Sequence, residues 1–268
     1  MIPMETTHKY ALVTGASSGI GREYARQLAA RGYALVLVSD REQENRLAAR
    51  EIGRQSGAPV LPLCFDLSDT ASAQRLIDRI EELQLDIRIV VCNAGALLFG
   101  GFPSADPDRI ARTIALHCTV PSLLCRYFAA KMRGREGGRI LLMSSATAWM
   151  PYPSIAVYAA TKSYLKSFSD ALHDELRRNG VTVTAVYPGA VDTPFFRLDA
   201  VWRRRLASAG VLLTPEQVAR KGLQALFRGR KRCIPGLFAK CCVLVCRILP
   251  SCLIRALLRI PAVARLLE

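Results

Sequence analysis

Tyr158 and Lys162 stand four residues apart in a segment whose apolar spacing predicts a helix, so their side chains share one face. A phenol with a pKa near ~10 is a poor base in neutral water. A neighbouring ammonium stabilises the phenolate, and each pKa unit gained in this way is worth about 1.4 kcal/mol. Such a phenol could pass a proton to or from a substrate oxygen. A tyrosine–lysine pair at this spacing is also an ordinary surface pair, so a second signal is needed. The stretch Thr14-Gly15-Ala16-Ser17-Ser18-Gly19-Ile20-Gly21 follows an apolar strand pattern and opens a helix pattern. Its glycines permit a tight turn and close backbone approach, and the helix N-terminus presents free N–H groups to a diphosphate. Three glycines can be mere turn punctuation. Between the first strand and first helix of an alternating series they cradle a dinucleotide, which would bring a hydride to the tyrosine's proton.

These residues need a scaffold, and the periodicity supplies one. Strands are predicted at 10–14, 34–39, 60–65, 87–93, 139–144 and 181–186. Helices are predicted at 20–31, 43–56, 71–83, 107–132 (with a break at Pro121) and 155–179. Near-continuous Val/Leu/Ile strands separated by amphipathic helices imply a parallel sheet buried on both faces. The expected fold is α/β: a single-domain, doubly wound, Rossmann-like parallel sheet with helices on both faces and a C-terminal helical extension. Its ligand would lie beyond the carboxyl ends of the strands. Residues 1–235 form the expected dinucleotide-binding catalytic domain, with a substrate lid at about 190–213. Residues 236–268 form the basic amphipathic extension.

The chain has 268 residues, 37 Lys+Arg against 22 Asp+Glu, and a net charge of +15. That charge raises nucleic acid or an anionic membrane as a partner. It is not uniform: residues 197–268 hold fifteen bases and three acids, leaving the first 196 residues at +3. The tail has few aromatics for stacking and no nucleic-acid motif, so nucleic acid is not expected. The nine cysteines form no CxxC pair, and the three histidines (His8, His117, His173) lie far from the C-terminal cysteine cluster, so neither a metal site nor a disulfide framework is expected. No leader-like apolar run precedes the first strand and no stretch reaches membrane-spanning length. A cytoplasmic protein is expected, at most peripheral on a membrane.

The glycine spacing is GxxxGxG rather than GxGxxG, and here the sequence resembles the short-chain dehydrogenase/reductase family. The likeness continues through Asn93-Ala94-Gly95, Tyr158-Ala159-Ala160-Thr161-Lys162 and Tyr187-Pro188-Gly189, covering roughly Lys9 to Phe196. It implies a catalytic set of Ser145, which orients the substrate oxygen, Tyr158 as acid/base and Lys162, which tunes it and holds the nicotinamide ribose. Ser144 is the less favoured serine by family spacing. Gly15, Ser17, Ser18, Gly19, Ile20 and Gly21 would hold the diphosphate, and Asn93, Ala94 and Gly95 would flank the cofactor. Asp66 and Leu67 would meet the adenine, with Asp66 alternatively capping the next helix. Pro188, Gly189, the Val191 backbone and Thr193 would close over the nicotinamide.

Two features depart from the family pattern. An acid about 20 residues past the glycines accepts bonds from the ribose 2′-hydroxyl and repels a 2′-phosphate, and Asp40 lies 19 past Gly21. The family's NAD enzymes place the acid one position earlier, at Ser39, and Arg41 could meet a phosphate. The balance favours NAD, with NADP the alternative. The family also carries an asparagine on the long helix before the fifth strand, where this chain has His117; no Asn occurs between Asn93 and Asn179. Histidine can donate and accept protons near neutral pH, so a relay role competes with simple packing.

In the lid, Phe195, Phe196, Leu198, Val201 and Trp202 favour an apolar substrate, or cover the core. Thr214-Pro215-Glu216-Gln217 reads as a helix start. Beyond it, Lys240, Arg247, Arg255, Arg259 and Arg265 punctuate an apolar tail divided by Pro250 and Pro261, suited to a membrane interface or a subunit contact. The expected activity is NAD(P)-dependent interconversion of a ketone and a secondary alcohol on a steroid, bile acid or long-chain lipid. A homodimer or homotetramer is expected. The competing class is a dinucleotide-binding regulatory or scaffold protein whose chemistry has lapsed.

Overall fold

Six strands, most of them buried along nearly their whole length, form the centre of the computed structural model, which describes residues 8–135, 137–149, 153–193 and 200–248, the side chains of 200–202 excepted. They are β1 (Lys9–Thr14), β2 (Ala34–Ser39), β3 (Val60–Cys64), β4 (Asp86–Cys92), β5 (Gly138–Met143) and β6 (Val181–Val186). A two-residue edge strand, β7 (Arg232–Cys233), pairs with β6 and is too short to signal itself in sequence. All pairs are parallel and the order is β3-β2-β1-β4-β5-β6-β7. The chain runs outward from β1 to β3, then returns to the other side of β1 at β4. That reversal opens a crevice at the carboxyl ends of β1 and β4, where an α/β sheet binds its ligand.

Helices cover both faces. They are α1 (Gly19–Ala29), α2 (Glu42–Ser56), α3 (Ala71–Glu82), α4 (Pro107–Ile114), α5 (Val120–Met132), α6 (Ala156–Arg177), α7 (Ala200–Ser208), α8 (Pro215–Phe227) and α9 (Leu237–Ile248). Alternate residues of each strand enter opposite cores. Leu12, Val36 and Val90 pack with Leu76, Leu124, Phe128 and Leu165 of α3, α5 and α6. Val13, Leu37 and Val91 pack with Tyr24, Leu28, Ile52 and Leu223 of α1, α2 and α8. Period-2 alternation therefore builds two apolar layers from one sheet.

The long helix predicted at 107–132 is three pieces. Between α4 and α5 the chain widens into one π turn, Ala115–Thr119, with His117 at its centre. Pro121 has no N–H to give the carbonyl four residues earlier, which belongs to His117, and the helix cannot keep its α pattern there. The break thus falls just before Pro121. The predicted start at Thr214 is present in full: Thr214 accepts from the Gln217 N–H, and Gln217 reaches back to the Thr214 N–H. The lid residues Phe195, Phe196 and Leu198, and the tail beyond residue 248, lie outside the described residues.

Candidate active site

The first element of the site is the turn after β1. Gly15 has φ +64°, a conformation that a side chain disfavours. A Cβ on Gly21 would lie 2.1 Å from the Gly15 oxygen and 2.5 Å from Asn93 Nδ2. Only glycine lets α1 begin this close to the loop. Asn93 Nδ2 donates to the carbonyls of Thr14 (3.1 Å) and Gly15 (3.2 Å). The N–H groups of Asn93 and Ala94 both donate to Thr14 Oγ1, at 3.0 Å each. The switch point between β1 and β4 is therefore laced by one asparagine and one threonine. Ser18 precedes α1 without a side-chain cap, and Thr193 lies across the loop, its Cγ2 3.5 Å from a Cβ built on Gly19. Ile20 packs partly buried on the core beneath. A bare cradle at a helix N-terminus, closed to side chains but open to an anion, fits a diphosphate.

Around this cradle, Ser17 and Ser39 are buried and their hydroxyls meet at 3.0 Å. The Arg41 N–H donates to Ser39 Oγ at 3.1 Å. Asp40 is exposed, and the exposed Arg41 guanidinium pairs with Glu44 at 3.2 Å. Asp66 does not cap α3, whose N-cap is Thr70. Its carboxylate instead accepts from the N–H and hydroxyl of Ser68 and pairs with Arg112 of α4 at 2.6 Å. The Ser68 bonds chiefly, and the Arg112 charge, hold it below the usual carboxylate range. Leu67 is buried beside it in the core.

The second element is α6 against the end of β5. Lys162 is buried, and its Nζ donates to the Met143 carbonyl at 3.0 Å and lies 5.4 Å from the Tyr158 ring centroid. Burial pushes this ammonium down to about 8, so it still carries its proton at neutral pH. Ser144 Oγ donates to the Lys162 carbonyl at 2.8 Å and is thereby spent on fastening α6 to β5. Ser145, next along, opens a short 3-10 turn (Ala146–Ala148), its Oγ accepting from the Thr147 N–H at 3.2 Å. The two serines thus have different surroundings, and the hydroxyl of Ser145 still has a proton to donate.

His117 is 1% exposed and has partners on both ring nitrogens. The Ala96 N–H donates to Nε2 at 3.0 Å, so the ring proton sits on Nδ1 and points at Thr161 Oγ1, 2.8 Å away. Thr161 in turn donates to the Tyr158 carbonyl at 2.8 Å. The imidazole meets the Tyr158 ring edge-on at 5.7 Å. Burial first, then the Lys162 charge, holds this histidine well below its ordinary range and therefore neutral. Gly95 passes close by, a Cβ there lying 3.0 Å from Nε2.

The loop after β6 completes the site. Pro188 accepts from the Ala146 N–H at 2.9 Å, binding this loop to the turn after Ser145. Val191 is buried and bridges to Leu213, and Asp192 pairs with Arg203 of α7 at 3.2 Å. Beside α6, a cavity of about 180 Å³ is lined by Leu98, Phe99, Phe102, Arg109, Ala156 and Val157, among others. Sequence reasoning did not find Thr161 or Arg112. Thr161 stood inside the YxxxK motif with no chemistry of its own, and Arg112 lies 46 residues from Asp66.

Known proteins resemble this chain in sequence and in fold. Residues 9–203 match the family model described as short chain dehydrogenase. A very-long-chain 3-oxoacyl-CoA reductase of Neurospora crassa is 33% identical over 194 residues, 70% of this chain and 58% of that protein. A 17-beta-hydroxysteroid dehydrogenase type 3 of Danio rerio is 32% identical over 195 residues, 69% of this chain and 61% of that one. The matches thus span less than two thirds of the length of either relative. A solved short-chain dehydrogenase from Sphingobium yanoikuyae, in complex with NADPH, superposes with a TM-score of 0.76 at 30% identity, over 85% of this chain and 88% of that one.

Proposed function

The chain belongs to the short-chain dehydrogenase family, and from that premise we propose that it is an oxidoreductase interconverting a ketone and a secondary alcohol on an apolar substrate. The observation that carries this reading is the buried Lys162 ammonium facing the Tyr158 ring, with Ser145 at the adjoining strand end. A nicotinamide dinucleotide, when bound, supplies or accepts the hydride at the substrate carbon. In reduction, Tyr158 gives its phenolic proton to the substrate oxygen, and the nearby ammonium stabilises the phenolate left behind. Ser145 donates a hydrogen bond to the same oxygen, keeping its proton, and orients it. In oxidation the proton returns along the same path.

His117 is best read as a positioning residue rather than a relay. Both of its nitrogens are occupied, it is held neutral, and it presents a ring edge to Tyr158. It ties the loop after β4 to the turn of α6 that carries Tyr158.

For the cofactor, exposed Asp40 favours NAD by repelling a 2′-phosphate. The opposing observations are Ser39 in the usual acid position and Arg41, whose surface pair with Glu44 is weak enough to yield to a phosphate. The apolar substrate is supported by exposed Phe99 and Phe102 on the cavity lip and by the lipid and steroid names of the relatives. A homodimer or homotetramer through α5 and α6 is supported by exposed Leu123 and Tyr164. Turnover of ketosteroids, keto bile acids and long-chain ketones, run with NADH and NADPH in parallel, tests the proposal. Tyr158→Phe should lower turnover at least about a hundred-fold while leaving dinucleotide binding intact. Unchanged turnover in that variant overturns the mechanism, and a strong NADPH preference overturns the role given to Asp40.

A further inference from the structure

Helix α9 has two faces of opposite character. Ala239 and Val243 are buried, and Ala239 sits against the loop after β6, its Cβ 3.2 Å from a Cβ built on Gly189. The helix also packs on the turn at 146–148 that follows Ser145. Its outer face carries Leu237, Phe238, Cys241, Leu244, Val245 and Ile248. At 3.6 residues per turn these form one continuous arc, and Leu237, Leu244 and Ile248 are 76%, 58% and 71% exposed. No acid or amide interrupts the arc. Lys240 and Arg247, seven apart and both exposed, border one side of it. No helix among the described residues is long and apolar enough to cross a membrane.

We propose that α9 docks this protein on an anionic bilayer surface, lying in the interface with its outer arc among the acyl chains. An apolar arc bordered by bases is the arrangement that a lipid interface accommodates: aliphatic side chains enter the acyl boundary while Lys and Arg reach the headgroup phosphates. Charge complementarity selects the anionic surface. From Gln217 to Leu267 the chain carries eleven bases and no acid. The arc is apolar and offers no hydrogen-bonding group except a thiol, which suits lipid better than the polar, hydrogen-bonded rim of a protein partner. Because the inner face of α9 rests on the loop after β6 and on the turn after Ser145, docking sets the catalytic strand ends close to the membrane. An apolar ketone dissolved there would reach the site without crossing water. That last consequence rests on the enzymatic reading above, whereas the docking itself does not.

The test uses the full chain, without substrate or cofactor, and vesicles of phosphatidylcholine alone or mixed with phosphatidylglycerol. Co-sedimentation is expected with the mixed vesicles and should weaken with salt. The double substitution Leu244→Asp/Ile248→Asp changes only exposed side chains and should weaken binding at least about a hundred-fold, since it places two charges in the acyl boundary. Lys240→Glu/Arg247→Glu should weaken it at least about twenty-five-fold, at about five-fold for each base removed. Absence of binding to the mixed vesicles overturns the proposal, as does binding that the apolar double variant leaves unchanged. A concentration-dependent dimer that the same variant dissociates, without vesicle binding, gives the face to a second copy and also overturns it. Capture by an acidic protein, again without vesicle binding, counts against it equally. Vesicle binding is read without turnover, so a failed activity screen leaves it intact.

Discussion

Lys162→Met should make the cofactor-free protein more stable at neutral pH while removing its activity. The native ammonium is buried, donates one hydrogen bond to the Met143 carbonyl, and has no carboxylate paired with it among the described residues. Burial pushes it down to about 8 from 10.5. Between those two values the unfolded chain binds a proton that the folded chain does not, so stability rises with pH across that window. Below about 8 the full penalty applies, and the gap corresponds to about 3 kcal/mol. Methionine has a similar length and no charge, but it leaves the Met143 carbonyl without its donor, which costs about 1 kcal/mol. The net gain near pH ~7 is about 2 kcal/mol, or roughly 4 °C in Tm for a chain of this size. Near pH ~10 most of the penalty on the native lysine has gone, and the difference between the two proteins should fall close to zero. Urea and thermal unfolding of both proteins at the two pH values measure this directly. A variant less stable than the native protein near neutrality, or an advantage that persists undiminished near pH ~10, refutes the reasoning.

Two further substitutions probe the glycine loop and the surroundings of Tyr158. Gly21→Ala places a methyl against the Gly15 carbonyl, so the loop must move: cofactor binding measured by fluorescence titration should weaken at least about ten-fold, and stability should fall by about 1–3 kcal/mol. Equal affinity in that variant would sink the cradle. His117→Asn removes ties to Ala96 and Thr161 worth about 1 kcal/mol each and should lower kcat without altering the shape of the pH–rate profile. A lost or shifted ionisation between pH ~5 and ~8 would return His117 to the proton path.

The alternation of apolar strands and amphipathic helices was enough to determine the α/β class, because strands buried on both faces must be apolar throughout. β2 and β6 occupy the predicted spans, and the other four central strands differ only by a residue or so at their ends. Local chemistry also placed the start of α8, since a capping box is closed within four residues. The glycine loop and the Tyr158–Lys162 spacing were readable for the same reason: each lies within a single turn or helix face.

Contacts between residues distant in sequence were decided by the tertiary structure. Asn93 reaches the Thr14 and Gly15 carbonyls because β4 lies next to β1 rather than β3, and the sequence order does not show that adjacency. The two serines at the end of β5 look alike as letters. They part only when α6 packs down and its Lys162 carbonyl takes the Ser144 hydroxyl. His117 owes its neutral state to burial, and its two nitrogens meet partners 21 residues before it and 44 after it. Period and spacing are properties of a local chain, whereas protonation state and hydrogen-bond partner belong to the environment that the folded neighbours create.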